Sequence, residues 1–136
     1  VLKMAGFFDG VGAGEVRERF AAQVEQAHRR AEAAVAARIE IQGVRERVVS
    51  PRGELSVVVD ASGRLLDVGL TDAALRLTPG ALSRLILEMA QKAQWAAGER
   101  AVQVAAEAFG EEDAAVAHLR GEIAQLAPEP GGVEYS

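Results

Sequence analysis

The sequence predicts an α+β domain. Its expected order is a long helix, a three-stranded antiparallel meander and a second long helix, with a short C-terminal helix after them. Three observations carry this. Apolar positions recur at 4,3,4,3 spacing from Phe20 to Ile41, as on a coiled-coil seam. They then alternate every second residue between Leu55 and Leu70, the period of a half-buried strand. After Thr78-Pro79 they return to helical spacing, with Leu82, Leu85, Ile86, Met89, Ala93 and Ala97 on one stripe.

Residues 1–14 read as a flexible leader, with Gly6, Gly10, Gly12 and Gly14 around Phe7-Phe8-Asp9. The first helix is expected from Glu15 to about Gln42. Its seam is Phe20, Val24, Ala27, Ala31, Ala34, Arg38 and Ile41, and Gly43 is a suitable stop. A seam so rich in alanine calls for a close partner. Arg38 either sets its register or sits at a frayed end.

Strands are expected at about 44–50, 54–60 and 64–70. Ser50-Pro51-Arg52-Gly53 has Pro and Gly where a type I turn takes them, and Asp60-Ala61-Ser62-Gly63 is the second turn. Thr78 suits a cap and Pro79 the first helical position of the next helix. That helix has a second apolar face, because Trp95, Val102 and Phe109 lie seven apart on the side away from Ile86. Gly110 closes it. The organisation expected is therefore a leader at 1–14, a domain at 15–110, an acidic helix at 111–127 and a disordered tail at 128–136.

Composition narrows the function classes. A length of 136 residues suits one domain. With no cysteine there is no disulfide, thiol nucleophile or thiolate metal site. No apolar run reaches the roughly 18 residues of a membrane span, and no signal peptide is recognisable, so a cytoplasmic protein without a membrane role is expected. Alanine supplies 27 of the hydrophobic residues, which thins a monomer core and favours oligomerisation.

Net charge is −5, but it is unevenly spread. Residues 15–52 hold eight Arg and six Glu, a balance of +2; residues 107–136 hold six Glu and one Asp against Arg120, a balance of −6.

Catalytic and metal motifs are not recognisable. Gly10-Val11-Gly12-Ala13-Gly14 lacks the preceding strand and the following Lys-Ser/Thr of a phosphate loop. His28 and His118 have no ligand spacing. The serines show no G-x-S-x-G, and Glu111-Glu112-Asp113 reads as charge at a helix N-terminus. No enzyme, cofactor or metal is expected. The arginines, taken by spacing alone, read as a solvated face with ion pairs Glu15–Arg19 and Glu25–Arg29. Trp95 either packs against the chain's own third helix or anchors a dimer or partner.

The stretch Gly53-Glu54-Leu55-Ser56-Val57-Val58-Val59-Asp60-Ala61-Ser62-Gly63-Arg64-Leu65-Leu66-Asp67-Val68-Gly69-Leu70 resembles the YbaB/EbfC family of bacterial nucleoid-associated proteins. So does the helix Leu82-Ser83-Arg84-Leu85-Ile86-Leu87-Glu88-Met89-Ala90-Gln91-Lys92-Ala93. The likeness covers about residues 15–109, in a divergent, actinobacterial-type form. It implies a homodimer with paired sheets and projecting helices that binds double-stranded DNA with little sequence preference, in the nucleoid.

On that reading Arg17, Arg29, Arg30 and Arg38 on the first helix, with Arg45, Arg47 and Arg52 on or beside the first strand, contact phosphates. Arg45 and Arg47 are expected on one strand face. An Arg-rich part without exposed aromatics argues against single-strand stacking. Ala-rich relatives associated with type VII secretion imply an alternative, an intracellular adaptor whose ligand is a protein. Trp95, Val102 and Phe109 would then be the dimer or partner face.

Overall fold

A computed structural model describes residues 12–128. The elements are α1 (Ala13–Gln42), β1 (Glu46–Val49), β2 (Leu55–Val59), β3 (Leu65–Leu70), α2 (Asp72–Leu75), α3 (Pro79–Phe109) and α4 (Ala114–Ala124). This is the α+β order expected, with the single-turn α2 added. The leader to residue 11 and the tail from residue 129 lie outside the described residues. The chain divides into two units, the first ending at Val35 and the second starting at Ala36.

The first unit is the N-terminal part of α1. None of its described residues is buried. The second unit holds the sheet and the other helices. Here α1 ends as its sequence suggests. The Gly43 amide bonds back to the carbonyls of Ile39 and Glu40, both at 3.1 Å.

The sheet is a meander in the order β1-β2-β3, antiparallel throughout. Its first turn closes with the Gly53 amide on the Ser50 carbonyl at 2.9 Å, Gly53 taking φ 72°. Ser50 is buried; its Oγ accepts from the Leu55 amide and donates to Glu54 Oε1, both at 3.0 Å. In the second turn Asp60 Oδ1 accepts from the Ser62 hydroxyl at 2.6 Å and from the amides of Ser62 and Arg64. The Ser62 hydroxyl, followed by the Arg64 amide, holds the Asp60 carboxyl below its ordinary pKa. A register shift at Val58/Val59 inserts Leu66 into β3.

Leu55, Val57 and Val59 project from β2 into the core and meet Met89, Ala93 and Ala97 of α3. Those three recur every fourth residue, so they form one face of the helix. Thr78 caps α3 by accepting from the Ala81 amide at 3.2 Å, and Pro79 occupies its first turn.

The other face of α3 is covered within the same chain. Trp95, Val102, Ala105, Ala106 and Phe109 cluster with Val116, Leu119 and Ile123 of α4. The second face of α3 therefore needs no second subunit to cover it. The approach is close because position 98 is glycine. A Cβ there would lie 2.7 Å from Ile123 Cδ1 and 2.9 Å from its Cγ2. Gly98→Val is expected to push α4 away, since overpacking of this kind costs about 1–3 kcal/mol. A red shift of Trp95 emission with faster amide exchange in α4 would report it; an unshifted spectrum would show that Ile123 yields instead.

Candidate nucleic-acid interface

The seven candidate arginines fall into two groups. Arg17, Arg29 and Arg30 stand on the first unit, all exposed; Arg38, Arg45, Arg47 and Arg52 belong to the second, also exposed. Along α1 they do not share one line. At about 100° per residue, Arg38 falls in the apolar seam, Arg17 on its border, Arg29 opposite and Arg30 on one flank.

Glu18, Glu25 and Glu32, seven apart, share the side of Arg29. Arg30 has a different neighbour. Arg19 lies eleven residues before it, about three turns and 16 Å along the axis, so the two line one flank. Arg19 is exposed. Sequence reasoning left it out of the set, because it was assigned to an ion pair with Glu15. Neither Glu15–Arg19 nor Glu25–Arg29 closes among the described residues; an i,i+4 contact that does form on this helix is His28 Nε2 to Glu32 Oε1 at 2.9 Å. A helical projection of the residues would have found Arg19.

Arg45 and Arg47 do not share a strand face as expected. β1 begins only at Glu46, and Arg45 folds back at the end of α1. Its Nη1 donates to the carbonyls of Val44 (2.8 Å) and Gln42 (3.1 Å). It thereby satisfies a carbonyl left open at the helix C-terminus. Arg47 stands opposite Val58, which in turn pairs with Asp67, so a cation and a carboxylate flank one valine on the outer sheet face. Arg52 projects from the first turn, where the neighbouring Glu54 carboxyl is held below its ordinary pKa, mainly by its own amide.

Phe20 also departs from expectation. It is exposed and directly follows Arg19 in sequence, so the Arg-rich part does present an aromatic ring. Its seam has no cover within the described chain.

Trp95, Val102 and Phe109 lie together under α4. The Trp95 Nε1 is buried and has no hydrogen-bond partner among the described residues. Beside this ring an open groove of about 580 Å³ is lined by Glu46, Glu99, Arg100, Glu111 and Arg120, among others. Arg120 Nη2 bonds Glu111 Oε2 at 2.6 Å, and Arg100 Nη1 donates to Gln103 Oε1 at 3.0 Å. Among the described residues no cluster of three or more His, Asp or Glu is placed to hold a metal, and no helix is long and apolar enough to cross a membrane.

These features define a class: a small α+β scaffold that displays guanidinium groups on a solvent-facing helix and along a sheet edge. The family model of the YbaB/EbfC DNA-binding family matches residues 16–112, from α1 to just beyond α3. The chain belongs to that family. No curated relative and no solved structure matches it. The helix α4, which covers Trp95, lies beyond the matched segment.

Proposed function

We propose that this chain is a nucleoid-associated protein of the cytoplasm that binds double-stranded DNA as a homodimer, through phosphates and with little sequence preference. Membership of a DNA-binding family, across the segment that bears the arginines, carries the reading. Of the seven arginines expected from the sequence, Arg17, Arg30, Arg38, Arg45, Arg47 and Arg52 are the proposed phosphate contacts, and Arg19 joins Arg30 on its flank; Arg29, on the side of Glu18, Glu25 and Glu32, contributes little. Guanidinium-to-phosphate bonds position a protein on the duplex and carry no sequence information.

The homodimer is supported by β3. Leu65, Val68 and Leu70 stand in register with the buried Val59, Val57 and Leu55, yet they are exposed, because α3 packs over β1 and β2. An apolar edge strand left open in this way invites pairing with another strand.

The test is fluorescence anisotropy of a labelled random-sequence duplex at low and near-physiological salt. Binding indifferent to sequence and falling steeply with salt is expected, with a log–log slope of about −0.9 per phosphate contacted. Absence of binding at low salt would reject the DNA reading. The protein-adaptor reading would then rest on the buried, unpartnered Trp95 indole beside the groove.

A further inference from the structure

We infer that the N-terminal part of α1, up to Val35, is a self-recognition element. Two copies pair their α1 helices antiparallel, with residue i of one facing residue 51 − i of the other. This rests on the self-association in the reading above and adds a second surface beside β3, with its orientation and register.

Exposure is the first ground. Val16, Phe20, Val24 and Val35 are 61%, 67%, 53% and 61% exposed, and they flank a line of alanines at 27, 31 and 34. Pairing two such faces removes on the order of 1,000 Å² from water, the lower bound for a specific interface.

Size complementarity selects the occupant. In an antiparallel pair the a layers of one helix meet the d layers of the other. Phe20 then faces Ala31 of the second copy, Val24 faces Ala27, and Arg17 faces Ala34 at the rim. The two large side chains at the middle of the seam each meet an alanine, and Val16 meets Val35 at its ends, so the helices can approach closely over the central turns, toward about 8 Å, the close end of the usual range. The parallel arrangement does the reverse. It sets Phe20 on Phe20 and Val24 on Val24, leaves alanine against alanine, and opposes Arg17 to Arg17 and Arg38 to Arg38. Like charges at such positions repel. Four of the charged groups of α1 fit the same picture, since Glu18, Glu25, Glu32 and Arg29 lie on the side away from the seam; Arg38 lies in it and Arg17 at its border.

The absence of cysteine makes the register directly measurable. Phe20→Cys and Ala31→Cys are prepared separately as full-length chains, mixed, and treated with a short bismaleimide. The mixture is expected to cross-link strongly. Either variant alone is expected to cross-link only at background, because its own thiols lie about 16 Å apart along the axis. An Ala22→Cys chain, on the opposite side of the helix, mixed with Ala31→Cys gives that background. Circular dichroism confirms that each variant retains its helix.

Self-linking of Phe20→Cys alone would overturn the antiparallel register. A chain that sediments as a dimer but shows no Phe20/Ala31 product would overturn the α1 pairing while leaving the dimer intact. A monomer at every concentration would overturn both.

Discussion

Arg19→Glu combined with Arg30→Glu is expected to weaken duplex binding at low salt by orders of magnitude, whereas Arg29→Glu is expected to leave most of it. The difference follows from position on one helix. Arg19 and Arg30 line a single flank. Arg29 stands on the side of Glu18, Glu25 and Glu32, whose carboxylates repel the phosphates that its guanidinium would attract. In a dimer the double variant removes four phosphate contacts, so the salt slope flattens by about 3–4. Each substitution also reverses a charge, which weakens the residual field further. All three positions are exposed, so the fold is expected to survive; sedimentation and circular dichroism check this. If Arg29→Glu proves as damaging as the double variant, the whole circumference of α1 meets DNA and the flank assignment fails.

Met89→Ala carries the largest expected effect on stability. Met89 is 1% exposed and sits against Leu55, Val57 and Val59, between neighbours as small as Ala93 and Ala97. Small neighbours cannot fill the space left by the thioether, so a cavity remains. Substitutions of this kind cost about 2–5 kcal/mol. Against a total stability of about 5–15 kcal/mol, the loss is a large share. Urea unfolding should show a much lower midpoint with little change in slope. A midpoint close to that of the unsubstituted protein would mean that α3 settles onto the sheet, and that the packing there is looser than the structure shows.

Much of the frame was legible because its signals are local. The seam from Phe20, the alternation from Leu55 to Leu70 and the Thr78-Pro79 start each report a repeat that a short segment carries by itself. The strands proved shorter than expected, since an end is decided by pairing: Arg45 turned back to α1 and so fell outside β1. The single-turn α2, capped by Thr71, lay where no periodicity could show it. The candidate site was legible in part. The arginines are exposed as expected. Arg19 was missed because an assumed ion pair with Glu15 hid it.

The sequence by itself determined the order of the long helices and strands, the two turns of the meander, the Thr78 cap and the likeness to the YbaB/EbfC family, because each depends on residues close together in the chain. Only the tertiary structure decided what covers what. It placed α4 over Trp95, Val102 and Phe109, where Gly98 lets Ile123 approach, and laid α3 on β1 and β2 so that β3 stays open. Hydrophobic periodicity says that a face must be covered. The identity of its cover depends on helix placement and on the volume of side chains distant in sequence, and no local repeat records either.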